Sequence, residues 1–355
     1  MSTKEAEIVQ YFAAKGKLSA AKFPIGIGDD MAQVRLTKGS SVLITTDMLL
    51  DGVHFDTKKA TLEQIGYKSM AASLSDCAAM ATVPVAAVVS VALPRNFGSA
   101  KLKKLHKGIL TAAKKYNCPL IGGDITSWAK PSAFGKPTAD KLAVSVAMLS
   151  RPGATKPVKR STAKVGDIIC VTGFLGGSIF KKHLDFKPRL GESLAIAKAG
   201  ANAMIDISDG LSTDLNHISR LSKKGACLEA DDIPVSSQAK KTANPLKAAL
   251  NDGEDFELLF TISKKGFERL KRNWRFKVEL TAIGKIVRGS SVKIKMPDGS
   301  VVELLPGGYD HLIKNPKSQI RNSKPQRDSP RDISQGRQIQ NPNYQNPKQF
   351  FKCNE

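Results

Sequence analysis

At five places in this chain an apolar or small-residue run stops at an aspartate beside a glycine, a hydroxyl or another small side chain. These are Asp30 in GIGDD, Asp47 in SVLITTD, Asp76 in SLSD, Asp124 in PLIGGD, and the pair Asp206 and Asp209 in MIDISDG. A strand that ends in Asp presents its carboxylate at the rim of a sheet, next to glycine turns that let a ligand's phosphates come close. Carboxylates gathered in this way repel one another unless a cation lies between them. An all-oxygen donor set suits Mg²⁺, which takes few protein ligands and fills its shell with water and phosphate oxygens. The pattern therefore predicts a fold that holds several magnesium ions around a polyphosphate.

Between the acids, strand and helix patterns alternate. Residues 3–15 read as an amphipathic helix, Val42–Thr46 and Val85–Leu93 as buried strands, and Leu62–Ala81 as a helix carrying Ser73, Ser75 and Asp76. A helix over Ala100–Tyr116 and strands at Cys118–Ile121 and Leu142–Leu149 follow. The Pro-, Gly- and Lys-rich stretch 151–164 is the best boundary. Beyond it, strands are expected at Asp167–Thr172, Ala203–Ile207 and Phe256–Ile262, and helices at Ser193–Ala199, Ser208–Ser222 and Lys264–Trp274. Val278–Val287 with Val292–Met296 reads as a hairpin-like end. The fold class is α/β (α+β), with domains over 1–150 and 151–313. The 355 residues suffice for two cores. Residues 314–355, dominated by Asn, Gln, Pro, Ser and Arg, could bury no core and are expected to be disordered.

Several function classes drop out. The longest apolar stretch, Val83 to Pro94, is shorter than the ~20 residues a membrane helix needs. The start of the chain lacks the charged and apolar regions of a signal peptide. The five cysteines are scattered, with neither zinc-ligand spacing nor a disulfide framework, which points to a reducing cytoplasm. The net charge is +23, of which the tail after Ile313 carries +6 and the body +17. Aromatics are only 6% and the basic residues are dispersed, so the charge fits anionic small-molecule ligands better than nucleic acid. Only the basic tail stays open as an RNA tether.

The familiar phosphate cradles are missing. No GxxxxGK[ST] occurs, GIGDDM lacks the third glycine of GxGxxG, and EDFE at 254–257 mimics the kinase DFG only superficially. Metals and carboxylates would have to do that work, and they suffice, because phosphoryl transfer needs mainly alignment and charge neutralisation. Each motif also has an ordinary reading: GIGDD and GGD as turns, ITTD as a strand running into a helix cap, and DISDG as an N-cap with Asp214 assisting its helix.

Taken together and in order, GIGDDMA, TTDMLLDGVHF, YKSMAASLSDCAAM, LIGGD, RSTAKVGD, VTG, AMIDISDGLSTDLNHI, GEDFELLF and GYDH span residues 26–311. They resemble the thiamine-monophosphate kinase family of the aminoimidazole-ribonucleotide-synthetase-like superfamily. GVHF, GEDFELLF and GYDH point to this member rather than its relatives. The resemblance implies a two-domain fold, an N-terminal mixed sheet with helices followed by a C-terminal α/β domain. It implies transfer of the γ-phosphoryl group of ATP to thiamine monophosphate, a homodimer, and a nucleotide held between the domains. Carried over by position, Asp30, Thr45, Thr46, Asp47, Asp76, Asp124, Asp206 and Asp209 would ligate Mg²⁺. Gly123, Asp124, Arg160 and Ser208 would contact ATP, and His54, Glu254 and Tyr309 the thiamine phosphate.

Those roles make chemical sense. Arg160 offers a permanent charge in a fork that suits phosphate oxygens. Backbone near Gly123 can approach phosphate unobstructed, and His54 can donate to the acceptor phosphate. Glu254 can pair with cationic thiamine, and Tyr309 offers a flat face to its rings. No general base is required, since the acceptor phosphate is already anionic at neutral pH. The chain departs from the family pattern at Ser73 (usually Asn), Ala81 (usually Gly), Ile125 in GGDIT, and HLDF at His183–Phe186; His183 and Arg189 carry no assigned role. A synthetase of the same superfamily acting on an amidine or on selenide is the alternative. A selenide enzyme would want a reactive Cys near the N-terminus, and the first here is Cys77, within a predicted helix.

Overall fold

The computed structural model describes residues 3–16, 18–128 and 141–312. Helix α1 (Lys4–Gly16) precedes β1 (Ala32–Thr37), β2 (Ser40–Leu50), α2 (Leu62–Ala79), β3 (Thr82–Leu93), α3 (Ser99–Lys115), β4 (Leu120–Ser127) and β5 (Ala143–Pro152). The five strands form one sheet in the order β1-β2-β5-β3-β4. Only β3 and β4 run parallel, and α3 is the crossover that a parallel pair requires.

Helix α2 starts where Thr61 and Gln64 bond each other's backbone N–H, a reciprocal cap that fixes its first turn. Its side chains are buried on nearly every side, with Ile65, Met70, Leu74 and Cys77 in the core beneath the sheet. A helix hydrophobic all round must be sandwiched. On one side α2 meets α3 at two glycines. A Cβ on Gly66 would lie 2.1 Å from the Leu105 carbonyl oxygen, and one on Gly108 2.0 Å from that of Glu63. On the other side Ala78 joins Cys170, Ile196, Met204 and Phe260, residues of the second sheet and its helices.

That second sheet orders β12-β11-β8-β10-β6-β9-β7. Along the chain its parts are β6 (Ile168–Thr172), α4 (Lys182–Asp185), α5 (Leu190–Lys198), β7 (Ala201–Asp206), α6 (Leu211–Ser222), β8 (Gly225–Glu229), α7 (Pro245–Asn251), β9 (Leu258–Ile262), α8 (Lys264–Asn273), β10 (Leu280–Val287), β11 (Val292–Lys295) and β12 (Val301–Glu303). The chain forms a compact unit over Met1–Ile313, while the expected tail from Lys314 falls outside the described residues.

Three expectations need correction. The predicted hairpin of Val278–Val287 with Val292–Met296 does not form: β10 and β11 both pair with β8, on opposite sides, and β11 makes its hairpin with β12. The short GACLE run of β8, framed by lysines and acids, hid a central strand. Asp47 and Asp124 do not end strands but lie inside them, because β2 stays paired with β5 as far as Leu50 and β4 runs straight through Gly122 and Gly123. Helix α6 begins at Leu211, which leaves Ser208 and Asp209 in the turn before it.

One face of the first sheet is covered by α2 and α3. The opposite face presents Ile44, Met48, Val85 and Val88 to solvent, with Met48 61% exposed.

Candidate functional site

Three segments far apart in sequence meet where β7 ends against α2. Asp206 closes β7, Asp76 lies late in α2 and Asp30 sits in the turn before β1; one carboxylate oxygen from each lies within 4.8 Å of the other two. Hydroxyls orient the group. Ser75 donates to Asp206 at 2.6 Å, Thr45 to Asp76 at 2.5 Å, and Ser73 to the adjoining Asp47 at 2.5 Å. Ser73, where the family pattern has Asn, thus retains a donor to the acid on β2. Asp30 is gripped by Arg160, whose Nε lies 2.9 Å from Oδ2 and whose Nη2 bonds Oδ1.

The electrostatics are those of an incomplete site. Burial lifts Asp76 well above the usual carboxylate range, and repulsion from Asp47, Asp206 and Asp30 adds to it. Asp206 is pushed up to about 7, first by burial and then by Asp30, against the pull of Ser75 and Arg160. Asp47 is raised chiefly by burial. Of these four acids only Asp30 has a cationic partner among the described residues, Arg160, whose field also reaches Asp206. An oxygen-only donor set with this spacing and surplus negative charge fits a hard divalent cation.

The turn after Asp206 joins this cluster to a second group. The Ser208 carbonyl accepts from the Glu254 N–H at 2.7 Å, and the Asp209 carbonyl accepts from Tyr309 N–H at 3.1 Å. Asp214 accepts from the N–H groups of Asp209 (3.2 Å) and Gly210 (3.1 Å), bracing the turn from the helix behind it. The Asp209 carboxyl is lifted to about 7 by burial and by Glu5, Asp310 and Glu254, with Arg160 opposing.

His54, Glu254 and Tyr309 lie together, with two residues that the sequence reading missed. Lys68, on α2 and 1% exposed, bonds Glu254 Oε1 at 2.6 Å and the His54 carbonyl. His311 bridges the rings, 5.5 Å from His54 and edge-on to Tyr309 at 4.7 Å between centroids. The Leu50 N–H donates to His54 Nδ1 at 3.1 Å, so Nε2 carries the proton. Burial, Lys68 and His311 hold the His54 pKa down at about 4, which keeps the ring neutral. A lone lysine in the middle of an apolar helix was the available signal for Lys68.

GEDFE uses two left-handed residues, Glu254 (φ 61°) and Phe256 (φ 50°), to send successive side chains in different directions. Glu254 meets Lys68, Asp255 accepts from Gly176 N–H at 2.7 Å, and Phe256 stacks on Phe186 at 3.8 Å. Glu257 is clamped by Arg189 at 2.8 and 2.7 Å. That gives Arg189 and the HLDF phenylalanine structural duties; His183 is buried and bonds the Ser178 carbonyl through Nδ1 at 2.9 Å.

Thr46, Gly123 and Asp124 are not drawn into the acid cluster. Neighbours on a strand point to opposite faces. Asp47 turns inward to Ser73, so Thr46 turns outward, and Asp124 pairs in register with outward-facing Ser90. Three strand spacings separate β2 from β4, roughly 14 Å.

The fold and this acid-lined seam between two sheets define a protein of the AIR synthase related class, and the family described as AIR synthase related protein, N-terminal domain, matches residues 28–151. Thiamine-monophosphate kinase of Rhodopirellula baltica is 34% identical over 302 residues, covering 81% of this chain and 91% of that protein. The Bacillus subtilis thiamine-monophosphate kinase is 30% identical over 313 residues, covering 81% and 93%. A solved structure of AaThiL complexed with AMPPCP and TMP aligns with a TM-score of 0.71 at 28% identity, over 87% of this chain and 97% of that one. The chain belongs to the thiamine-monophosphate kinase family. No helix among the described residues is long and apolar enough to cross a membrane.

Proposed function

We propose that this chain transfers the γ-phosphoryl group of ATP to thiamine monophosphate, yielding thiamine diphosphate and ADP. The observation that carries the reading is the meeting of Asp30, Asp76 and Asp206 within 4.8 Å, one turn of chain away from the His54, Glu254 and Tyr309 group. Its substrates are those of its relatives: the aligned AaThiL holds the ATP analogue AMPPCP together with TMP.

Mg²⁺ would be held by Asp30, Thr45, Asp47, Asp76, Asp206 and Asp209, with Thr46 and Asp124 contributing from the outer face of the sheet. When bound, such ions neutralise and align phosphate oxygens. The chain's own groups do the rest. Arg160, paired with Asp30 in the resting protein, can turn its fork to the incoming polyphosphate. Ser208 and the backbone at Gly123 contact ATP. His54 donates from Nε2–H to the acceptor phosphate while remaining uncharged. Lys68 holds Oε1 of Glu254 and leaves Oε2 for the cationic thiamine ring, which Tyr309 covers. The acceptor phosphate attacks without a general base because it is already ionised.

We also read residues 1–150 and 151–313 as two domains with ATP between them, which the separate sheets ending at Pro152 and starting at Ile168 support. The exposed apolar sheet face supports a homodimer in which a second copy covers Met48 and Val88 and closes over Thr46 and Asp124. Cys77, Cys118 and Cys170 keep buried thiols outside any disulfide, in keeping with a reducing cytoplasm. Product analysis after incubation with Mg-ATP and thiamine monophosphate tests the reaction. Equal amounts of ADP and thiamine diphosphate are expected; turnover with another acceptor and none with thiamine monophosphate would overturn it.

A further inference from the structure

Arg220, half-buried like Arg160 and Arg189, breaks the rule that those two keep. Arg160 pairs with Asp30 and Arg189 with Glu257, but among the described residues no carboxylate pairs with Arg220. Its Nη1 is buried without a hydrogen-bond partner, and its Nη2 reaches only His217 Nδ1 at 3.4 Å. Burial and the field of Arg160 both disfavour its charge. Asp214, earlier on the same helix, gives one oxygen to the amides of residues 209 and 210 and groups with Asp209 and His217, ligand atoms of the three lying within 4.8 Å of one another. A guanidinium left in this state costs free energy that an anion would recover.

Beside it is a cavity of about 440 Å³, bounded by Thr3 at the start of α1, by Asn216, His217 and Arg220 on α6, and by Ser290 and Pro306. Lys223 stands at its rim, exposed, in the left-handed residue that caps α6. The cavity is larger than a free phosphate ion needs and falls in the range of roughly 300–1,000 Å³ typical of small-molecule sites. Its lining offers cations and neutral donors, and among its described lining residues there is no acid.

We propose that this cavity between α1 and α6 is an anion site that seats a phosphorylated small molecule on Arg220. The proposal is independent of the kinase reading, since it needs only the cavity and its unpaired guanidinium. The ligand's phosphate accepts from Arg220 where its guanidinium lines the cavity, with Lys223 at the rim, and the remainder of the molecule fills the space toward Thr3 and Pro306.

The test is a calorimetric titration of the full chain with inorganic phosphate and, separately, with ADP. Both are run in excess chelator, so that the acid cluster holds no divalent cation. The wild type should bind both. Arg220→Gln should weaken binding about 10- to 100-fold, the loss of a charge-assisted hydrogen bond, while Arg220→Lys retains most of it. If Arg220→Gln weakens both probes, the occupant is the phosphate of a nucleotide. If it weakens phosphate alone, the occupant is another phosphate ester and ADP binds elsewhere. Equal affinity in wild type and Arg220→Gln, or no binding of either probe to the wild type, overturns the proposal. Should the Gln variant fail to fold, the wild-type titration and the Lys variant still decide it. Turnover of ATP with thiamine monophosphate is measured separately, so failure of one reading leaves the other standing.

Discussion

Asp255 and Glu257 are buried beside Arg189 and Lys182, whereas among the described residues Asp30, Asp47, Asp76 and Asp206 have one ion pair between them, that of Asp30 with Arg160. In the first set Glu257 receives Arg189 at 2.7 Å, Lys182 at 2.9 Å and the Thr172 hydroxyl at 2.7 Å. Two acids meet two cations there, although Asp255 keeps one oxygen without a hydrogen bond and is pushed up to about 7 by burial. The second set has hydroxyls where the first has cations. Hydroxyls orient a carboxylate but do not neutralise it, so the repulsion remains for something outside the chain to relieve. The same residue type therefore does opposite work: in GEDFE it locks the loop beside Glu254, and at the end of β7 it creates a demand for metal.

That contrast predicts opposite signs for two substitutions. Asp76→Asn should lower thiamine diphosphate formation by about 10³-fold or more, because metal-borne charge stabilisation is worth several kcal/mol. It should also raise the thermal midpoint of the metal-free protein, because one of the mutually repelling charges is gone. Arg189→Met leaves Glu257 with Lys182 alone and should cost about 3–5 kcal/mol of stability, the usual loss when a buried pair is broken from one side. Chemical denaturation measures the second and steady-state assays the first. A destabilised Asp76→Asn, or an Arg189→Met protein as stable as wild type, would erase the distinction between the sets.

The two sets differed equally in how well they could be read from sequence. Asp30, Asp76 and Asp206 declare themselves through local company: small residues, hydroxyls and strand ends that an ordinary core does not need. Arg189 and Glu257 are 68 positions apart and their pairing is purely tertiary, so nothing near either announces it. Lys68 was hidden for the same reason, its partner Glu254 lying 186 residues away. Most helices and strands followed from apolar periodicity, but β8 was too short and too closely framed by charge to stand out. The face of the sheet was legible and was overlooked: adjacent Thr46 and Asp47 on one strand cannot point the same way.

Glu254 stands between the extremes, an acid with one cation of its own and one oxygen left over. Glu254→Gln should raise KM for thiamine monophosphate about 10-fold with a smaller change in kcat, since a charge-assisted contact is lost from a bound cation. A kcat loss as deep as that of Asp76→Asn would place Glu254 with the metal-demanding set and redraw the comparison.

The smallest effect is also the one that reads both sets at once. The ordinary Asp pKa is 3.8, and in the folded protein Asp206 and Asp255 each sit at about 7. Between these values the native state holds protons that the unfolded chain has released. The share of stability that these two acids carry therefore falls as pH rises from about 4 to about 7 and is level above that. His54 and His217, held down at about 4 and about 3, add an opposite slope up to the ordinary histidine value of 6.5. In chelator the thermal midpoint should drop between about pH 6.5 and about pH 8, where the histidines are largely neutral in both states and the two acids still release protons. Saturating Mg²⁺ favours the ionised form of Asp206 and should remove that residue's share of the drop, as should Asp206→Asn. The share from Asp255 should persist in both cases, because its partners are cations of the chain itself. A midpoint that rises with pH above about pH 6.5 in chelator, or a drop that both Mg²⁺ and Asp206→Asn leave untouched, would mean that the strand-end acids are already satisfied within the protein and await no metal.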